Sequence, residues 1–258
     1  MAVFGLFFLA WQYIQYALYG VLPSHSHEGS LIRYGSYYDD SLVLGILTPM
    51  FAGYYLSKYQ NKIAYEVIII AFSAVAVVMT GGFTSLLTVF LFIALWFRGR
   101  HFFLVAFFCA VIFALVIFYN EMLSVWHFKQ DSIAGHLSSW ESIAIDDMGL
   151  INYLGIIPMD IFVEVGYLSF LYNYGVPVVA LIVALHIYTL YACKYVRSNS
   201  DAGSAIYRFS GAAEGLAFSV LVVNMNLPPI VYPPIYLFVA IFSAIIIGNW
   251  KLIRLRGQ

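Results

Sequence analysis

Charge is what this sequence has least of: Asp, Glu, Lys and Arg together make up 10% of its 258 residues, where a soluble domain carries about 25%. That shortage excludes water as the main solvent of the fold. Net charge is −1, from 12 basic and 13 acidic residues, so nothing points to nucleic acid as a partner. Cysteine is also scarce. Cys109 lies in the middle of an apolar run and Cys193 stands beside Lys194 at the end of another, which argues against a disulfide framework and leaves both as small apolar residues. No P-loop, GxSxG, Rossmann glycine fingerprint, HExxH or clustered CxxC occurs, so cytoplasmic nucleotide chemistry has no motif to rest on.

What is present is apolar surface. Hydrophobic residues make up 63% of the chain, and mean hydropathy is +0.88. Apolar runs occur at 3–22, 41–57, 63–80, 83–97, 102–119, 164–192, 211–226 and 232–249, against about 20 residues for a helical bilayer crossing. They are too long and too continuously apolar for the alternating strands of a barrel, the other closed solution in lipid. The expected fold is all-α: a polytopic transmembrane helical bundle of about 8 spans, filling 1–258 as a single membrane domain. The first run follows Met1 without a basic region and ends in Ala17-Leu18-Tyr19-Gly20, a poor cleavage signal, so it reads as a retained span.

The few basic residues orient this bundle. Lys58 and Lys62 follow the second run, Arg98 and Arg100 the fourth, Lys194, Arg197 and Arg208 the sixth, and Lys251, Arg254 and Arg256 the eighth. These are alternate connections, which the positive-inside tendency assigns to the cytoplasm, together with both termini. Arg33 and Lys129 are left on the other face. Glu28, Asp39, Asp40, Glu121, Asp131, Glu141, Asp146, Asp147, Asp160 and Glu164 show the converse pattern, in or beside the two longer external loops at 23–40 and 120–163. Within the second loop, Ile133, Leu137, Trp140 and Ile143 recur at three- and four-residue steps, the pattern of an amphipathic helix lying in the interface. The other external connections are short: Thr80-Gly81-Gly82, and a proline-set bend at 226–234.

Several residues on the outer face carry potential chemistry. Arg33 stands where cations are otherwise rare, and a guanidinium there either clamps a phosphate or carboxylate or meets solvent and lipid headgroups. His25, His27 and Glu28 lack the third and fourth ligands that would define a metal site, so they read as surface loop. His127 and His136 flank Lys129 and titrate near neutrality, as acid–base groups or as interfacial residues. Glu164 opens the sixth run, where partial burial would make it a base, although the helix dipole also favours an acid there. Tyr34, Tyr37, Tyr38, Tyr153, Tyr167, Tyr172 and Tyr174 gather toward the same face. An interfacial belt accounts for most of them; aromatic faces that stack sugars are the alternative. Glu66 and Glu214, toward the inner face, read as packing or interhelical contacts.

The order of three segments resembles the bacterial O-antigen polymerase and O-antigen ligase superfamily of membrane glycosyltransferases. Arg33-Tyr34-Gly35-Ser36-Tyr37-Tyr38-Asp39-Asp40 is similar to the family's arginine-led entry into a span. Met79-Thr80-Gly81-Gly82-Phe83-Thr84 resembles its Thr-Gly hairpin without the arginine. His136-Leu137-Ser138-Ser139-Trp140, followed by Glu164-Val165-Gly166-Tyr167-Leu168 through Tyr174-Gly175-Val176, resembles its large periplasmic loop and the span after it. Glu164 stands where the ligases have histidine, nearer to the polymerases. The chain is shorter than most members, which have more spans before the arginine segment.

The resemblance implies a protein of the bacterial inner membrane that polymerises undecaprenyl-diphosphate-linked glycan repeat units on the periplasmic face, with no metal and no other cofactor. It implies Arg33 and Lys129 on the diphosphate, Glu164 or His136 as the group that takes the acceptor proton, and Tyr34 and Tyr167 on sugar. Chain-length regulator and flippase proteins, with membrane lipid, are the implied partners. The competing classes are a transporter or flippase of lipid-linked sugars, marked by charges inside helices and paired broken spans, and a non-catalytic component of a glycan assembly complex.

Overall fold

A computed structural model describes residues 25–28, 31–34, 41–79, 83–117, 149–155, 166–224 and 233–256. Helices α1 (Ser41–Lys58), α2 (Ile63–Met79), α3 (Phe83–Trp96) and α4 (His101–Ile117) follow a short antiparallel hairpin of β1 (His25–Glu28) and β2 (Leu31–Tyr34). One helical turn, α5 (Leu150–Tyr153), precedes the long helices α6 (Gly166–Ser198), α7 (Ala205–Val223) and α8 (Pro233–Arg256). Apart from the hairpin, the described residues are all-helical.

Helix α7 is the centre of the bundle. The span Ala205–Val223 is 61% buried, whereas Phe170–Ser198 in α6 and Leu237–Leu255 in α8 are 22% and 17% buried. The sequence allows this because the α7 face toward α1 is nearly free of side chains. A Cβ on Gly211 would strike the Gly53 carbonyl oxygen and Ser57 Oγ, and one on Gly215 would strike the Pro49 carbonyl oxygen. Pro49, Gly53 and Ser57 recur every fourth residue along α1, and Gly211 and Gly215 have the same spacing on α7, so two small-residue ridges meet backbone to backbone. Lipid supplies no hydrophobic drive between helices, which leaves such close dispersion contact as the main attraction.

A second layer of α2, α3 and α4 packs around Ile70, Ala74, Val89, Phe92, Ile93 and Phe107, all at 2% exposure or less. Phe97 and Phe103 stack at 4.1 Å where α3 turns into α4. Helix α4 leaves Phe102, Val105, Phe108, Ile112, Phe113 and Val116 outward, mostly at three- and four-residue steps and with the composition of a lipid-facing surface. Phe170–Ser198, Ala205–Val223 and Leu237–Leu255 are long and apolar enough to cross a membrane, and Ile63–Val78, Thr84–Trp96 and His101–Val116 are shorter apolar helices.

One end of the bundle gathers the connections that carry the basic residues. The Tyr207 hydroxyl donates to Gln60 Oε1, tying the start of α7 to the α1–α2 turn. Glu66, buried at the start of α2, accepts from the Asn61 N–H at 3.0 Å and from Arg100 Nη2 at 3.2 Å. Arg197 near the end of α6 lies 2.5 Å from Glu214 of α7, with its guanidinium 4.2 Å from the Trp96 ring centre of α3. Glu214 thus makes an interhelical contact with Arg197 of α6, and Glu66 pairs with Arg100 of the α3–α4 connection.

The structure departs from the sequence expectation in the hairpin, in a helix break and in the ends of two helices. Residues 25–28 read as a loop, yet they pair with 31–34 in the register His25↔Tyr34, Ser26↔Arg33, His27↔Ile32 and Glu28↔Leu31. Gly29 and Ser30 lie between the two strands in sequence. The run at 164–192 reads as one helix, but α6 is interrupted at Gly175, with φ 77 and ψ 175. The run at 3–22, the Thr80–Gly82 turn, the bend residues 225–232 and the interfacial helix expected at 133–143 lie outside the described residues.

Substituting Gly211 by Ala is expected to destabilise the protein by about 1–3 kcal/mol through overpacking against Gly53. Gly248→Ala, where a Cβ meets nothing within 4 Å, is the matched control. Thermal unfolding of the two purified variants in detergent checks this; equal midpoints would remove the α1–α7 contact as the source of stability.

Candidate functional site

The features most unlike a plain bundle lie at the end opposite the basic connections, where α6 begins. Residues 166–174 form its first segment. Gly175 then takes a conformation open almost only to glycine, and Pro177 lacks an N–H for the helical ladder. The interruption is held by a second glycine. A Cβ on Gly175 would strike Gly155 N and the Tyr153 carbonyl oxygen, while one on Gly155, itself at φ 73, would strike the Tyr174 carbonyl oxygen. The turn that ends α5 is therefore seated backbone to backbone in the kink of α6.

The first segment of α6 is also fastened to the end of α7. The last turn of a helix leaves carbonyl oxygens without intrahelical donors. Tyr167 supplies two of them: its N–H donates to the Asn224 carbonyl at 2.9 Å and its hydroxyl to the Leu221 carbonyl at 2.8 Å. Asn224, fully buried, follows α7 and donates its own N–H to Val220 O at 3.1 Å. Tyr172 is buried, Tyr174 is half exposed, and the Phe170 and Tyr174 rings lie 6.1 Å apart. The result is a fixed helix break whose polar groups are mostly turned inward, with Tyr174 the exposed phenol among Tyr167, Tyr172 and Tyr174.

Tyr167 is the one residue of the expected site whose side chain is described, and its hydroxyl is engaged by the backbone of α7. Arg33 and Tyr34 fall in β2, at the register positions opposite Ser26 and His25. Lys129, His136 and Glu164 lie outside the described residues, Glu164 two positions before the first residue of α6. Sequence reasoning missed Gly155, Gly175 and Asn224 as site-forming residues. The signal was available in Tyr174-Gly175-Val176-Pro177, a glycine and a proline two apart within an apolar run.

Reasoning from sequence also passed over a polar group deeper in α6. His186 is buried, with Nδ1 2.6 Å from the Ile182 carbonyl oxygen. One turn on, Thr189 Oγ1 lies 2.9 Å from Ser243 Oγ of α8. Among the described residues, no group of three or more His, Cys, Asp or Glu side chains is placed to hold a metal ion.

Helical architecture and apolar spans define the class: an all-helical membrane protein. No family model, curated protein or solved structure matches the chain.

Gly175→Ala is expected to cost about 1–3 kcal/mol in backbone strain and to release the turn at 149–155, read as faster amide exchange there. Gly99→Ala, also at positive φ but with open space around it, should leave that exchange unchanged. Slow exchange retained in Gly175→Ala would contradict the glycine clamp.

Proposed function

We propose that the protein polymerises lipid-linked oligosaccharide repeat units into a surface polysaccharide such as O-antigen, capsule or exopolysaccharide, at the periplasmic face of the bacterial inner membrane with both termini in the cytoplasm. The observation that carries this reading is the segment from Glu164 to Val176. Its sequence resembles the span that follows the periplasmic loop in the O-antigen polymerases. In the fold, its described part is a short helix fixed to the end of α7 by Tyr167 and broken at Gly175. The grouping of Lys58, Lys62, Arg98, Arg100, Arg197 and Arg208 around the opposite end supports the orientation.

In this reading the acceptor hydroxyl oxygen attacks the anomeric carbon of the growing glycan. The bond from that carbon to the diphosphate breaks, and undecaprenyl diphosphate departs. Arg33, helped by Lys129, holds the diphosphate and offsets its developing charge. Glu164 or His136 takes the acceptor proton. Tyr34 offers an aromatic face to sugar, and Tyr167 sets the position of the α6 segment on which the acceptor lies. Metal and nucleotide have no part in these steps.

A transporter or flippase of lipid-linked sugars is the second reading. The interrupted helix α6 and the buried His186 favour it, since discontinuous helices and polar side chains inside spans mark many transport pathways.

Arg33→Ala and Glu164→Ala should each abolish polymer ladders in a complementation assay, a loss of about 10²-fold or more in rate for the proton acceptor. Arg98→Ala, at the basic end, should leave the ladders intact. Unchanged ladders in both outer-face variants would remove the glycosyl-transfer assignment.

A further inference from the structure

The basic end holds a depression of about 410 Å³ lined by Ile63, Arg100, His101, Phe102 and Phe103. Its polar group is prearranged. The Arg100 guanidinium lies 4.4 Å from the Phe103 ring centre and 5.5 Å from that of Phe97, and its Nη2 is held 3.2 Å from Glu66. Glu66 is fully enclosed while the Arg100 side chain remains 43% exposed. A guanidinium has five N–H donors in a planar fork, so one edge faces the protein and donors remain on the open side. Exposed His101 lines the same opening, and exposed Lys62 and Arg98 stand one and two residues in sequence from its lining residues Ile63 and Arg100, so this neighbourhood carries two cations beyond the Glu66–Arg100 pair.

The floor of this depression is not aqueous in character. Phe102, at the rim, begins the outward stripe of α4 that continues through Val105, Ile112, Phe113 and Val116. The stripe is lipid-facing, so acyl chains lie directly beside the exposed guanidinium. A molecule with an anionic head and hydrocarbon tails uses both.

We propose that this depression seats the headgroup of an anionic phospholipid from the leaflet facing the basic end, with Arg100 on its phosphate and its acyl chains along the exposed face of α4. Charge complementarity supports that occupant, because the connections bearing most of the chain's cations share this end. The proposal rests on the membrane orientation given above and is independent of any glycan chemistry. Glu66 acts as a positioning residue: it fixes the fork of Arg100 and, by its own charge, weakens the attraction for phosphate.

Native mass spectrometry of the full chain in mild detergent, titrated with phosphatidylglycerol or phosphatidylcholine, tests this. The wild type should retain phosphatidylglycerol preferentially, and excess inorganic phosphate should not displace it. Glu66→Gln should raise the preference, and Glu66→Gln/Arg100→Gln should fall about fivefold below Glu66→Gln, the value of one cation at a lipid surface. Phe102→Ser, at an exposed position that leaves the ion pair intact, should shorten lipid retention. Melting midpoints of the variants establish that each is folded. Equal retention of the two lipids, displacement by phosphate alone, a dimer mass with α4 buried, or no change between Glu66→Gln and the double variant would each overturn the proposal.

Discussion

Close backbone contact between α1 and α7 is the constraint on which the rest of the bundle depends. In water a helix pair is driven together by burying apolar side chains; in lipid that drive is absent, because the acyl chains are as apolar as leucine. Gly53, Gly211 and Gly215 remove the side chains that would hold the helices apart. Dispersion between the two backbones then acts at short range. Once α7 is seated on α1, its remaining faces position α3, α6 and α8 around it, which is why its span is so much more buried than those of α6 and α8.

The two ends of α7 then do different things. At the basic end, Tyr207 reaches Gln60, and Glu214 pairs with Arg197, whose guanidinium lies over Trp96. The buried Glu66 and the partly buried Glu214 are each paired with an arginine there, while Lys62 and Arg98 stay exposed. At the other end, the last carbonyls of α7 accept from Tyr167, so the first segment of α6 is aligned by hydrogen bonds rather than charge. This corner is rigid because it is fixed by backbone hydrogen bonds on a packed scaffold. The Gly155–Gly175 contact adds to this by fixing where α6 breaks.

Much of the helical layout was legible because apolar run length reports spans directly: the runs at 41–57, 63–80 and 83–97 correspond to Ser41–Lys58, Ile63–Met79 and Phe83–Trp96. Helix α7 starts earlier than its apolar run, since Ser204 caps it and a polar first turn with Tyr207 and Arg208 precedes the hydrophobic stretch. Helix α6 runs on to Ser198, because Arg197 finds Glu214 and Trp96 instead of ending the span. The break at Gly175 left its mark only in the glycine and proline two apart, because hydropathy carries no record of φ. The glycine pairing of α1 with α7 was visible as spacing on each helix, but only the fold shows which two ridges meet. Of the expected site, Arg33 and Tyr34 acquire a strand register and Tyr167 a set of partners.

The proposed glycosyl transfer would take place at the corner where α6 meets the end of α7. Purified protein reconstituted in liposomes with an undecaprenyl-diphosphate-linked repeat unit tests it most directly, by following polymer length together with release of undecaprenyl diphosphate. The account predicts polymer, with one undecaprenyl diphosphate freed for each linkage formed. Movement of intact lipid-linked units across the bilayer without polymer or released diphosphate would contradict it.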